Sequence, residues 1–489
     1  MSFGKGSTIL RGDMMLIGRD AEVARLLQAS QKTDAQLVAV YGRRRVGKTY
    51  LIRETFKGRF LFQYAGIYQG TKREQLSAFY QALLDSGLSP DSPFPQNWME
   101  AFQLLKKLIQ ASTQQEKILF IDELSWMDSP KSDLMKALEH FWNAWASAQK
   151  HLMLIVCSSA TSWMLRKVIH NKGGLYNRLT YRLRLNPFSL HQCKEYSQHE
   201  KLAFSDTQMM ELYMILGGIP YYWNLLEKGL SVAQNVDLLF FSEDAPLKNE
   251  YAYLFSSIFR APKDYLLIIE ALSQKRKGLT RNEILEASHL TGSGIFSQRL
   301  EELESCGFIR EYHAFGKTTK GSLYQLMDPL VLFYHHFLRR KTGDPSFWSH
   351  QLNTPAMNTW AGLAFELLCL LHTEQIKKKL GISGILTDVA SFSCVANTEA
   401  GIRGSQIDLL ISRADRTINL LEMKYTNGPY TLSKSDLESL KRKASDFRRE
   451  TGTRSAIHLT MVTPYGLENN SYAGEIHSQI TGDDLFQPI

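Results

Sequence analysis

The chain has 489 residues, 44% of them hydrophobic and 22% charged, a balance that fits a globular protein and excludes a disordered one. That length exceeds what one core can serve, so three domains are expected. A net charge of +8 and a pI near 9.0 lean toward nucleic acid as a partner.

No apolar stretch reaches membrane-spanning length and residues 1–18 lack a signal-peptide pattern, so a cytoplasmic protein without a membrane partner is expected. The five cysteines, Cys157, Cys193, Cys306, Cys369 and Cys394, show no close pairing and read as small buried residues. The basic excess is spread over Arg43–Arg45, Lys377–Lys379, Lys441–Lys443 and Arg448-Arg449, patterns that solvated helix faces also produce.

In chain order, the first strong signal is the apolar run Val38–Tyr41, which feeds a complete GxxxxGKT loop: Gly42, Arg43, Arg44, Arg45, Val46, Gly47, Lys48 and Thr49. An amphipathic helix pattern follows. Gly42 and Gly47 let backbone N–H groups converge on a β-phosphate, Lys48 can reach the β and γ oxygens, and Thr49 can ligate Mg²⁺. The loop predicts binding of ATP or GTP. A proline-rich loop, Ser89–Pro95, separates two helical patterns without marking a domain boundary.

A second apolar run, Lys117–Ile121, reads as a buried parallel strand ending in Asp122 and Glu123. Asp122 is expected to hold the Mg²⁺ water shell and Glu123 to polarise the attacking water. A third run, Leu152–Cys157, ends in Ser158 and Ser159, either of which can sense a γ-phosphate from between the first two strands.

Ile17-Gly18-Arg19-Asp20-Ala21-Glu22, the loop from Tyr41 to Thr49, Leu175-Tyr176-Asn177-Arg178-Leu179 and Gly217-Gly218-Ile219-Pro220 occur in that order. Together they resemble the archaeal-type ATPase family of the AAA+ and STAND group of P-loop NTPases. The resemblance implies ATP as the nucleotide and places Ile17, Gly18 and Arg19 beside the adenine. It also makes Arg178 a candidate arginine completing the site in cis or from a neighbouring subunit of a homo-oligomer. Asn177 stands where the family often has Gly.

Over 261–335 the pattern predicts a helix at Asp264–Leu272, a capped helix from Thr280 to Leu285, and a helix at Gly294–Ser305 with Ile295, Leu300 and Leu303 inward. Strands at Phe308–His313 and Leu323–Met327 flank a basic loop. Three short helices and a hairpin make a winged helix, which either docks DNA, with Lys317 and Lys320 meeting phosphates, or acts as a coupling arm.

Near the C-terminus, Gln406–Ile411 and Thr417–Lys424 predict an antiparallel hairpin that brings Asp408 beside Glu422 and Lys424. Upstream, the apolar helix pattern Trp360–Leu368 carries one acid, Glu366, which is costly there unless it serves a site. Carboxylate oxygens in this arrangement suit Mg²⁺ or Mn²⁺. The pattern resembles the restriction-endonuclease-like PD-(D/E)xK nuclease fold, including the nuclease-like domain often fused to archaeal-type ATPases. That likeness makes Asp408 and Glu422 metal ligands, Lys424 the catalytic lysine, Glu366 an accessory acid and Gln406 a polar neighbour; Ile407 replaces the proline of the family's name.

The expected architecture is multidomain α/β: an AAA+/STAND-type ATPase domain with a parallel sheet and helical lid over 15–235, a winged helix over 261–335 and a nuclease-like domain over 357–489. The expected function is an ATPase controlling a metal-dependent DNA nuclease. The alternatives are a nucleotide-switched module that binds DNA or protein with the nuclease-like domain used for docking, and an enzyme acting on RNA.

Overall fold

The computed structural model describes residues 16–170, 173–175, 177–259, 261–316, 322–340, 342–394 and 404–489. They group into two compact units, one up to Asn186 and one from Pro187 onward. Among the described residues no helix is long and apolar enough to cross a membrane.

The first unit is built on five parallel strands, β1 (Gln36–Tyr41), β2 (Phe60–Ala65), β3 (Lys117–Asp122), β4 (Leu152–Ser158) and β5 (Tyr181–Arg184). Their order in the sheet is β2-β3-β4-β1-β5. Every residue of β4 is buried and only the last of β1 is not. Parallel strands covered on both faces are continuous apolar runs, which is why these stand out in the sequence. Helices Lys72–Asp85, Trp98–Ala111 and Leu134–Ala144 supply the cover on one face, with Phe79, Phe102 and Phe141 in one core and the Phe102 and Phe141 rings stacked at 5.2 Å. The sheet order puts β4 between β1 and β3, so the carboxyl ends of all three open onto one edge.

In the second unit, helices Leu190–His199 and Asp206–Leu216 pack with helices Pro329–Phe333 and Pro355–Leu371. The helices expected as a lid ending near residue 235 thus group with the later residues. Gly217 has φ +59, and a Cβ on Gly218 would lie 1.8 Å from the Phe188 carbonyl oxygen. The Phe188 N–H donates to the Gly218 carbonyl at 2.6 Å, so two backbone segments cross here with no room for a side chain.

His372 joins the same helices. Its Nε2 accepts the Leu190 N–H at 3.0 Å and its Nδ1 lies 2.9 Å from the Leu368 carbonyl, which fixes a neutral ring. Burial lowers its pKa from 6.5 to about 4. The unfolded chain therefore takes up a proton between pH 6.5 and 4 that the folded chain refuses, and stability falls as pH falls through that window. The loss amounts to about 3 kcal/mol. Urea unfolding at pH 7 and pH 4.5 should show a smaller difference for His372→Gln than for the parent; equal differences would contradict the assignment.

Next comes helix Lys263–Ser273, β6 (Leu279–Thr280), helices Arg281–Ser288 and Gly294–Ser305, β7 (Ile309–Tyr312) and β8 (Leu323–Leu326), with the strands ordered β6-β8-β7 and antiparallel. Thr280 and Glu283 form the capping box that the sequence suggests. Ile295 is a correction: it is 61% exposed, and Phe296 takes the inward position with Leu300 and Leu303. Phe296, Leu300 and Leu303 keep the i, i+4, i+7 spacing of one helix face, which Ile295 does not fit. Lys317 and Lys320 lie outside the described residues.

The C-terminal sheet contains β9 (Thr387–Cys394), β10 (Ser405–Arg413), β11 (Thr417–Met423), β12 (Ala456–Val462) and β13 (Ser478–Ile480), ordered β13-β12-β11-β10-β9. The first three strands pair antiparallel and the last three parallel, with helix Lys434–Thr451 making the crossover from β11 to β12. Leu410, Leu420, Leu440, Phe447 and Met461 form its core. All five cysteines are free, four of them buried.

Candidate functional site

At the open edge of the first sheet, the loop after β1 leads into helix Lys48–Thr55. Gly42 must be glycine because φ is +145 and a Cβ would stand 2.2 Å from the Leu185 carbonyl oxygen. Lys48 is buried, and its Nζ donates to the carbonyls of Gly42 at 3.0 Å and Arg43 at 2.9 Å and to Ser159 Oγ at 3.1 Å. Thr49 Oγ1 donates to Asp122 Oδ2 at 2.6 Å. Those two hard oxygens suit Mg²⁺, which takes one or two protein oxygens and completes its shell with water and phosphate.

Glu123 follows β3 with φ +46, a left-handed conformation that turns its carboxylate back toward β4. It accepts the Ser159 N–H at 2.9 Å and the Ser159 hydroxyl. A hydrogen-bonded relay therefore runs from Lys48 through Ser159 to Glu123. Burial pushes the Glu123 carboxyl above its ordinary range, while the Lys48 charge pulls it down.

Of the two serines expected as sensor, Ser158 is engaged away from Lys48. It is the last residue of β4, fully buried, and its hydroxyl donates to Ser125 Oγ at 2.8 Å. Strand alternation turns the next residue, Ser159, into the site. Arg19 is buried and donates to the carbonyls of Val46 at 3.4 Å and Asn186 at 2.8 Å, which braces the phosphate loop. Ile17, Gly18, Arg44 and Arg45 are half-buried and Arg43 is buried. Arg178 is exposed, one residue after Asn177, whose φ of +56 keeps the backbone shape a glycine would have.

Residues 16–226 match a family model described as an ATPase domain predominantly from Archaea. The chain carries an archaeal-type ATPase domain. A curated but uncharacterised protein of Methanocaldococcus jannaschii is 24% identical over 338 residues, 66% of this chain and 69% of that protein. The Walker-type ATPase PABY2304 of Pyrococcus abyssi is 18% identical, with 66% of this chain and 96% of that chain covered at a TM-score of 0.45. For the ORC2 protein of Aeropyrum pernix, in ADPNP–ADP complexes, the figures are 12%, 75%, 98% and 0.38. Structural likenesses of that size carry no argument about this chain's activity.

Beyond the ATPase domain, β10 and β11 pair with Leu409 opposite Leu421, which sets Asp408 and Glu422 at neighbouring positions of the ladder. Gln406 Nε2 donates to Asp408 Oδ1 at 2.7 Å. Lys424 Nζ lies 3.0 Å from one Glu422 oxygen, and Lys443, from the crossover helix, donates to the other at 2.7 Å. Glu366, on helix Pro355–Leu371, meets the guanidinium of Arg276; the same Nη2 lies 3.3 Å from Asp408 Oδ2. Burial lowers the Arg276 pKa, and the charges of Asp408 and Glu422 pull it back up.

The residues expected as metal ligands, Asp408 and Glu422, and the accessory acid Glu366 meet different cations of the chain. Among the described residues no three His, Cys, Asp or Glu side chains are placed to hold a metal ion together. Glu366 and Asp408 share one cation, whereas Glu422 is drawn to two lysines. Two carboxylates converging on a positive charge still suit Mg²⁺ or Mn²⁺. The sequence reading missed Arg276, in the run Lys275-Arg276-Lys277, and Lys443, visible only as part of a basic helix face.

Proposed function

We propose that the chain couples an ATP-driven switch to cleavage of nucleic acid, DNA in the first instance, by its C-terminal module. ATP hydrolysis is assigned to the phosphate loop, with Lys48 on the β and γ phosphates, Thr49 and Asp122 holding Mg²⁺, Ser159 sensing the γ-phosphate and Glu123 orienting the attacking water. The residues of 261–335 are read as a winged helix and those of 357–489 as a nuclease-like domain. Arg178, being exposed, is available to a neighbouring copy of the chain.

One observation carries the nuclease half of the reading: Glu366 and Asp408, from separate elements, converge on a single cation beside the Glu422–Lys424 pair. Glu366 and Asp408 would hold the metal, and Lys424 would orient and help deprotonate the attacking water. A bound Mg²⁺ or Mn²⁺ supplies Lewis-acid polarisation of the water and the scissile phosphate.

A second reading, in which the module only docks, is favoured by one fact: each carboxylate is already paired within the chain, Glu366 and Asp408 with Arg276, and Glu422 with Lys424 and Lys443. Purified full-length protein decides between them. With Mn²⁺ or Mg²⁺ it should nick or degrade plasmid DNA, EDTA should stop the reaction, and Ca²⁺ should support binding without cutting. Absence of cleavage over a panel of DNA and RNA, with and without ATP, would favour docking.

A further inference from the structure

Arg276 sits in the four-residue turn Lys275–Gly278 between helix Lys263–Ser273 and β6. The turn is fixed at the backbone. The Gly278 N–H donates to the Lys275 carbonyl at 2.9 Å, Gln325 Nε2 to the Arg276 carbonyl at 3.0 Å, and the Tyr312 hydroxyl to the Lys277 carbonyl. Gly278 has φ +81, and a Cβ there would be 2.3 Å from the Tyr324 carbonyl oxygen. Both β7 and β8 thus hold the turn in one place, and Lys275 pairs with Glu283 at its base.

The three-helix module is in turn fastened to the C-terminal sheet. The Phe315 N–H donates to the Ser391 carbonyl at 2.9 Å, Ala314 and Ser391 form a parallel bridge, and the Phe315 ring meets Phe447 at 4.9 Å. A pinned turn on a fastened module therefore delivers one guanidinium to Glu366 and Asp408. That group is a fixed +1 charge, planar and bulky, and its hydrogen bonds to carboxylates are of the strong, charge-assisted kind. A hydrated divalent ion needs the same space and the same oxygens.

We propose that Arg276 is a plug, an internal cation that occupies the metal position of the nuclease-like site until the Lys275–Gly278 turn withdraws. The inference rests on the nuclease reading above and adds its control: the metal ion competes with the protein's own arginine for the oxygens of Glu366 and Asp408. Nucleic acid drawn to the three-helix module, or any event that unseats Phe315 from Phe447, would release the turn and open the site.

The test is Mn²⁺ binding by the full-length protein without nucleotide, followed by the electron paramagnetic resonance of the free ion, with plasmid cleavage measured in parallel. Arg276→Ala and Arg276→Gln should bind Mn²⁺ at least about tenfold more tightly than the parent and cut at correspondingly lower Mn²⁺. Adding Asp408→Ala should remove the gained affinity. If a folded Arg276 variant binds Mn²⁺ no more tightly while the parent cuts in an Asp408-dependent way, the plug is wrong and the nuclease reading stands. If neither protein shows Asp408-dependent Mn²⁺ binding, both fail. Should both variants misfold, hydrogen exchange in the parent decides: Mn²⁺ should speed exchange of the Gly278 amide, and bound Mn²⁺ without that change would overturn the proposal.

Discussion

Lys48→Ala should lower ATP affinity by about hundredfold or more, because it removes a buried ammonium that makes charge-assisted contacts with the phosphates. In the free protein that ammonium is held by two loop carbonyls and Ser159, so it is already positioned where phosphate oxygens arrive. Glu123→Gln should behave differently. The amide keeps the size of the carboxylate and binding survives, but the water loses its base and turnover falls by about 10²–10⁴-fold. Fluorescent-nucleotide titration and phosphate release measure the two effects separately. A Lys48→Ala variant that hydrolysed ATP like the parent would remove the motor assignment.

Asp408→Ala and Lys424→Ala should each abolish metal-dependent cleavage while leaving ATP hydrolysis nearly intact. The two sites share no residue: one is built from β1, β3 and β4, the other from β10, β11 and helix Pro355–Leu371. Asp408→Ala deletes one of two carboxylates on the shared cation, and Lys424→Ala removes the ammonium beside Glu422. Phosphate release and plasmid cleavage assayed on the same preparations give both answers. Lys48→Ala should change how cleavage responds to ATP without altering the nuclease chemistry. Cleavage that persisted in Asp408→Ala would sink the site assignment.

Much of the ATPase site was legible because a parallel strand buried on both faces is an unbroken apolar run, and polar residues appear where it ends. Asp122 and Thr49 meet as their positions suggest. Ser158 and Ser159 were not separable, since which one faces inward depends on the phase of β4 against its neighbours, and adjacent strand residues differ by a full reversal of direction. Ile295 is a different kind of miss: it and Phe296 are both apolar, but only Phe296 keeps the i, i+4, i+7 spacing with Leu300 and Leu303. Arg276 was beyond reach, because its partners lie 90 or more positions along the chain and no local pattern marks a long-range cation. Lys443 belongs to a helix whose charged face reads as solvated until the crossover sets it over Glu422.

The crossing at Gly218 bears on how chains like this one are sorted. Gly217-Gly218-Ile219-Pro220 is part of what makes the sequence recognisable, yet the positions answer to the carbonyl of Phe188 and to the start of a short helix at Pro220, with no phosphate or metal involved. A descendant that had lost Lys48 or Glu123 would keep the same four letters, since its backbone would still have to pass through the same gap. The signature therefore reports a backbone crossing and says nothing about whether ATP is turned over.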